Sequence, residues 1–199
     1  MDAGSSLRER KKAATRLALH QAVVELAAGK GLDAVTVDAI ADHANVSRRT
    51  FSNYFTNKEE ALLYADRVRY DRLLAEVRSR PAKESPWQAL SRSTHTLVDE
   101  LPAVDPVWLA QMRLVRRHPS LAAYQMSMQS TVERDLADEL LSRIDTTDEL
   151  TALVRARVLA GSFLAALRAA VTVWLDRPDE ISLDLALDVA LRTACERLR

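Results

Sequence analysis

The sequence predicts an all-helical protein of about nine helices. Three observations carry that prediction. Leu and Ala dominate, and Glu, Arg and Gln accompany them, all good helix formers. No segment alternates apolar and polar residues with the period of a half-buried strand. All six prolines (Pro81, Pro86, Pro102, Pro106, Pro119 and Pro178) lie in the later part of the chain, at intervals suited to breaks between helices.

The first helix is expected over about Leu7–Ala28, where Leu19, Ala22, Val23, Leu26 and Ala27 share one face. Gly29 and Gly31 then end it. Thr36 is a candidate N-cap for a short helix over about Val37–Ala44. Asn45-Val46 separates it from a second short helix, about Arg48–Phe55, with Ser47 as its N-cap. A long helix is expected from Asn57 to about Arg80. Later helices divide at prolines and caps: about Pro86–Leu101, Pro106–Arg117, Pro119–Ile144, Asp148–Leu175 and Ser182–Leu198. Pro86, Pro106 and Pro119 suit first-turn positions, where a missing N–H costs nothing.

Composition narrows the function classes. A chain of 199 residues, 48% hydrophobic and 28% charged, is long enough for a substantial core and reads as soluble and globular. The four glycines, Gly4, Gly29, Gly31 and Gly161, fit neither a dinucleotide fingerprint nor a phosphate loop. The single cysteine, Cys195, excludes an intrachain disulfide and argues against a cysteine zinc site; it reads as a packed residue of the last helix, with redox sensing the lesser alternative. His95 and His118 lack metal-ligand spacing. No cofactor and no metal are expected. With no nucleophile elbow and no paired-His motif, an enzyme is not expected either. The polar, basic N-terminus is no secretory signal. Val158–Leu175 is apolar enough to suggest a short membrane span. Arg168 near its centre and the flanking Arg155, Arg157, Asp176 and Arg177 favour a buried helix instead. No membrane partner and a cytoplasmic location are expected.

The informative segment is TVDAIADHANVSRRTFSNYFTNK, Thr36–Lys58. Ile40, Ala41, Ala44, Val46, Phe51 and Phe55 can form a small interior against the first helix. The second short helix then turns Arg48, Arg49, Ser52 and Asn53 outward. That is the layout of a helix-turn-helix, whose second helix enters the major groove. Arg pairs bidentately with guanine and Asn with adenine. Hydroxyls such as Thr36, Ser47, Thr50 and Tyr54 suit phosphate oxygens, and Lys58 adds a cationic contact. Each has a plainer alternative: a solvated basic face for Arg48 and Arg49, capping or packing for Thr50, core packing for Tyr54. Arg8, Arg10, Lys11, Lys12 and Arg16 form a basic arm suited to the DNA backbone or the minor groove, or a solvated tail.

Here the chain resembles the TetR family of transcriptional regulators, over about Arg16–Leu63. The resemblance rests on ELAAGKGLDAVTVDAIADHANVS and VSRRTFSNYFTNKEEALL. Asn45 stands in place of the commoner turn glycine, but Asn tolerates the left-handed conformation. Ala27 and Ser52 stand where aromatics are usual. The resemblance implies phosphate contacts by Thr36, Ser47, Tyr54 and Lys58, with Arg48, Arg49 and Asn53 at base edges. It implies a DNA-binding domain over residues 1–57, and a helical effector-binding and dimerisation domain over 58–199. The expected partners are double-stranded operator DNA, a small apolar or amphipathic effector, and a second copy of the chain.

For the effector site the candidates are Trp87, Trp108, Met112, Arg113, Arg116, Tyr124, Met128 and Phe163, with ordinary core as the alternative for each apolar one. The stretch QMRLVRRHPSLAAYQ is similar to the C-terminal domain of TetR-family regulators of acyl-CoA-like ligands, related to the mycofactocin regulator. There Arg113, Arg116 and Arg117 would meet an anionic group; the alternative is a solvated face. The small residues of Val158–Leu175 and the Leu183, Leu187, Ala190, Leu191, Ala194, Leu198 face suggest a homodimer through the last two helices, or intramolecular core. The expected function is a ligand-responsive regulator, most simply a repressor. An activator, or a helical interaction protein without specific DNA binding, is the alternative. The charge agrees: residues 1–58 hold nine basic and six acidic side chains, net +3, while the rest of the chain carries −3.

Overall fold

The computed structural model describes residues 3–99 and 106–197. Among these it has nine α-helices and no strand. They are α1 (Ala3–Lys30), α2 (Val37–His43), α3 (Arg48–Tyr54), α4 (Lys58–Ser79), α5 (Pro86–Asp99), α6 (Pro106–Arg117), α7 (Pro119–Leu140), α8 (Glu149–Asp176) and α9 (Leu183–Arg197). Single 3-10 turns follow α1, at Leu32–Ala34, and α7, at Leu141–Arg143. The expected order stands, with shifts at several helix ends; α1 runs on to Lys30, so Gly29 lies inside it rather than ending it. The first helix begins at Ala3 rather than near Leu7, and the seventh tightens into a 3-10 turn instead of running to Ile144. Leu101 and Leu198 lie outside the described residues.

Local chemistry sets these ends. Pro86, Pro106 and Pro119 are each the first residue of a helix. Ser85 and Gln88 form a reciprocal capping box at α5: Gln88 N donates to Ser85 Oγ (3.3 Å) and Ser85 N to Gln88 Oε1 (3.0 Å). Asp148 caps α8 by accepting from Thr151 N at 2.8 Å, and hydrogen bonding from the Thr151 side chain, then its backbone, holds the Asp148 carboxyl below the usual range.

The chain forms two compact units, one of residues 3–69 and 106–128, the other of 70–99 and 129–197. In the first, α1 buries Leu19, Val23 and Ala27 in one core with Ile40 and Ala41 of α2, Phe51 of α3, Phe55 just after it, Leu62 of α4 and Leu114 of α6. A polar cluster also lies inside it. Asp66 of α4 is 7% exposed and Gln111 of α6 fully buried. Gln111 Nε2 donates to Asp66 Oδ2 at 2.8 Å, and Arg69 Nη1 to Asp66 Oδ1 at 2.9 Å. The Arg69 guanidinium lies 5.0 Å from the Trp108 ring centre. Burial pushes the Asp66 carboxyl up to about 6, against the pull of Arg69 and Gln111.

In the second unit α8 packs along α9 and α5. Ala156, Ala160, Phe163, Ala170 and Trp174 of α8 are buried, as are Leu187 and Leu191 of α9 and Leu90 of α5. The last turn of α4 has an unusual cap. The Arg143 guanidinium donates to the carbonyls of Val77 (3.0 Å) in that turn and of Arg80 (2.9 Å) and Pro81 (2.8 Å) just beyond it. Just beyond, buried Glu84 accepts from Arg80 and Arg92, each at 2.6 Å, and these bonds hold its carboxyl down to about 2.

The Asp66 cluster gives a pH prediction. The folded carboxyl keeps its proton to about pH 6, the unfolded one only to about 3.8. This group therefore adds stability as pH falls through 6, fully so below 3.8, and withdraws it as pH rises. Comparing the wild type with Asp66→Asn by urea denaturation, we expect the difference to move toward the wild type by about 1–2 kcal/mol between pH 7.5 and pH 5. A difference independent of pH would contradict the assignment.

Candidate nucleic-acid interface

Two seven-residue helices are too short to stand alone, so their caps and their buried faces must hold them. Thr36 Oγ1 accepts from Ala39 N at 3.2 Å and opens α2. Asn45, at φ 55°, takes the left-handed turn anticipated for it. Ser47 Oγ accepts from Thr50 N at 3.0 Å and opens α3. The α3 anchor is aromatic. Phe51, 1% exposed, lies 5.9 Å ring to ring from Phe55, and Phe55 meets Tyr64 of α4 edge-on at 5.6 Å. Ala44 and Val46 pack partly buried against the same core.

With that face buried, Arg48, Arg49, Ser52 and Asn53 are exposed together on the other side of α3. Arg49 and Asn53 are four residues apart, one above the other on the helix. Arg49 has no ion pair with the described residues. Arg48 Nη1 pairs with Asp38 Oδ2 of α2 at 2.8 Å; both side chains are well exposed, so the pair is exchangeable with solvent or DNA. Ser47 Oγ and Thr50 Oγ1 are 2.8 Å apart and share one hydroxyl proton between them, so one O–H stays available to an outside acceptor. Tyr54 is half-buried against the core, and the Arg16 guanidinium of α1 lies 5.4 Å from its ring centre. Lys58 is engaged otherwise than expected. Its Nζ donates to the carbonyls of Leu32 (2.8 Å) and Val35 (3.1 Å).

The basic arm is corrected in one respect. Arg8, Arg10, Lys11, Lys12 and Arg16 belong to α1 itself, and Lys12 pairs with Glu9 at 2.9 Å. A helix about 10–12 Å across is wider than a minor groove of about 6 Å.

The effector candidates divide between the units. In the first, Trp108 lies under Arg69, Met112 is buried, Met128 is half-buried, and Arg113 and Arg116 are exposed. Tyr124 packs against the first unit's core; burial, with Glu60 and Glu59 nearby, pushes its hydroxyl up. In the second, Trp87 stacks edge-on against fully buried Phe163, centres 6.3 Å apart. Trp87 also lines a cleft of about 230 Å³ with Arg92, Leu191, Arg192 and Cys195. Sequence reasoning missed the Asp66–Gln111 pair and the Arg16–Tyr54 contact. An acid on an otherwise apolar stripe of α4 is the only signal that pointed to the first; a contact spanning 38 positions leaves no local signal for the second.

The comparisons agree with this geometry. The family model for bacterial regulatory proteins of the TetR family matches residues 19–65, and the MftR C-terminal domain matches residues 84–199. The chain is 34% identical to the HTH-type transcriptional regulator TcmR of Streptomyces glaucescens, over 98% of this chain and 88% of that one. The chain belongs to the TetR family of transcriptional regulators. It is therefore a regulator with a helix-turn-helix DNA-binding domain, not an enzyme. Among solved structures, a SmeT–triclosan complex is 20% identical, with TM-score 0.57, covering 90% of this chain and 91% of the other. A TetR-family repressor, FadR of Thermus thermophilus with lauroyl-CoA, is 25% identical, with TM-score 0.50, covering 91% and 93%.

The turn supplies a second prediction. Asn45→Gly should leave stability within about 0.5 kcal/mol, whereas Asn45→Val should lose about 1–3 kcal/mol, because a β-branched residue is strained at positive φ. Phe51→Ala should lose about 3–5 kcal/mol. Thermal or urea melts check all three; a harmless Asn45→Val would show that the turn does not hold this conformation.

Proposed function

We propose that this TetR-family regulator is a homodimeric repressor that holds a specific operator and releases it when a small, largely apolar ligand binds. We propose residues 1–57 as the DNA-binding part, residues 58–199 as the effector-binding and dimerisation part, and the cytoplasm as its location. The observation that carries the DNA-binding role is α3: buried through Phe51, exposed through Arg49 and Asn53. Arg48, Arg49 and Asn53 are the proposed base readers. Thr36, Ser47, Thr50, Tyr54 and Lys58 are proposed phosphate contacts.

Dimerisation through the last two helices is supported by what they leave uncovered. Leu150, Leu153, Val154 and Val158 recur at helical spacing along α8 and are exposed, as are Leu185 and Val189 of α9, one turn apart. Leu187 and Leu191 point inward, so that part of the expected dimer face is intramolecular core. By length and composition α8 is apolar enough to cross a membrane; a second copy covering its outer face is a sufficient reason for that composition in a regulator.

An acyl-CoA-like effector is supported by the match to the MftR C-terminal domain and by the likeness to the lauroyl-CoA-bound FadR. Candidate contacts are Trp108, Met112, Arg113, Arg116, Tyr124 and Met128 in the first unit, with Trp87 and Phe163 in the second. Ligand can release DNA only by favouring a conformation that binds the operator poorly.

Selection of DNA sequences on the purified protein should return a site spanning two half-sites. The Arg48→Ala, Arg49→Ala double variant should bind it at least about tenfold more weakly, with salt-sensitive nonspecific binding retained. Unchanged affinity would defeat the base-reading assignment. In sedimentation the wild type should have twice the mass of one chain, and Val154→Glu with Val158→Glu should shift it toward monomer. Lauroyl-CoA giving neither binding heat nor DNA release would retire the acyl reading.

A further inference from the structure

We propose that the groove between α5 and α9 is a small-molecule site of its own, shaped for a small aromatic carboxylate. The groove lies within the second unit and shares only Trp87 with the effector contacts proposed above.

Each wall of the groove is one helix face. Trp87, Gln88, Ser91 and Arg92 come from α5, at the spacing that stacks side chains on one side of a helix. Asp188, Leu191, Arg192 and Cys195 of α9 form the other wall. Trp87 is half-buried: its edge-on contact with fully buried Phe163, centres 6.3 Å apart, anchors the ring, yet the side chain still lines the groove. With Leu191 it gives the groove an apolar part that suits a flat ring. The cavity volume of about 230 Å³ decides the size class. Pockets that enclose drug-sized ligands measure roughly 300–1,000 Å³, so a whole acyl-CoA is too large here, whereas one ring with a short acidic arm fits.

The polar part is rich in donors. Arg92 commits Nη1 to Glu84 at 2.6 Å, and Arg192 commits Nε to the Asp188 carbonyl at 3.3 Å. A guanidinium carries several N–H groups in a fixed fork, so both arginines retain donors. Gln88 uses its Oε1 to accept from Ser85 N at 3.0 Å, which leaves its amide N–H groups for another acceptor. Asp188 is the one acid among the residues lining the groove. Its carboxylate already faces Arg192 Nη2 at 3.8 Å and His95 Nε2 at 3.3 Å. Glu84, the partner of Arg92, is shared with Arg80. The balance therefore favours an anion, and the guanidinium fork matches a carboxylate. The apolar part beside it selects an anion that carries a ring over a bare inorganic one.

The groove contains its own reporter. Cys195 is the only cysteine of the chain, half-buried on the α9 wall, so its alkylation by uncharged iodoacetamide, followed by mass, reads occupancy directly. Benzoate should bind with a Kd of about 1 mM, so that about 10 mM slows alkylation about tenfold relative to the same ionic strength of KCl. Benzyl alcohol, which keeps the ring without the charge, and hexanoate, which keeps the charge without the ring, should each protect far less. Arg192→Gln, at an exposed position, should weaken benzoate protection about tenfold. A second readout on the wild type does not use the thiol. In ¹H–¹⁵N spectra the Trp87 indole signal, assigned with Trp87→Phe, should shift with the same Kd while those of Trp108 and Trp174 stay in place. An alkylation rate and a Trp87 signal both indifferent to benzoate overturn the proposal. So does hexanoate protecting as well as benzoate, or protection undiminished in Arg192→Gln. None of these results touches the operator or acyl-effector readings, which are tested on DNA and lauroyl-CoA.

Discussion

Everything the first unit presents outward depends on burying the aromatic face of α3. A helix of seven residues has almost no stability of its own, because nucleation fixes several dihedrals for few hydrogen bonds. Phe51 and Phe55 supply what the backbone lacks. Their rings lock against Tyr64 of α4 and the α1 and α2 side chains around them. Because the helix is pinned along one side, the opposite side is determined, and Arg49 and Asn53 stand on it, placed by the packing behind them. Side chains proposed to read DNA need this arrangement. If their positions came from their own hydrogen bonds, binding would first have to break those bonds.

The polar groups inside the molecule follow a different logic. Asp66 with Gln111, and Glu84 with Arg80 and Arg92, are acids nearly closed off from water and held by named donors. They respond in opposite directions. Glu84 accepts from two guanidiniums and stays ionised to low pH; Asp66 has one guanidinium and an amide, and burial prevails. Gln111 Oε1 is buried with no hydrogen-bond partner among the described residues, so this joint between α4 and α6 is less completely satisfied than the Glu84 network. A buried acid with one cation beside it is the kind of group that small rearrangements of its helices would be felt by first.

Helix order was legible in the sequence because the punctuation is chemical: three prolines at first positions, Thr36, Ser47 and Asp148 as caps, Asn45 as the left-handed turn. The exposed side of α3 was legible for the same reason, since Phe51 and Phe55 leave only one side for Arg49 and Asn53. What periodicity could not resolve was which apolar face meets its own chain. On α9, Leu187 and Leu191 turn inward while Leu185 and Val189 stay exposed, yet all four are equally apolar. The hydrogen bonds of Lys58 to the carbonyls of Leu32 and Val35, some two dozen positions away, left no local signal in the sequence.

The helical arm carries one more consequence. A flexible basic tail would have to lose its conformational freedom each time it bound DNA, which offsets part of each charge contact. Here Arg8 to Arg16 are continuous in one helix with Leu19, Val23 and Ala27, the residues of α1 that build the core. Arg16 also lies over Tyr54 of α3. The charges are thus positioned by the same packing that positions the recognition helix, and the two cannot drift independently. Under the proposed DNA contacts, attraction to the backbone and reading of the bases are properties of one rigid element set, so a shift in α1 or α3 large enough to misplace one misplaces the other.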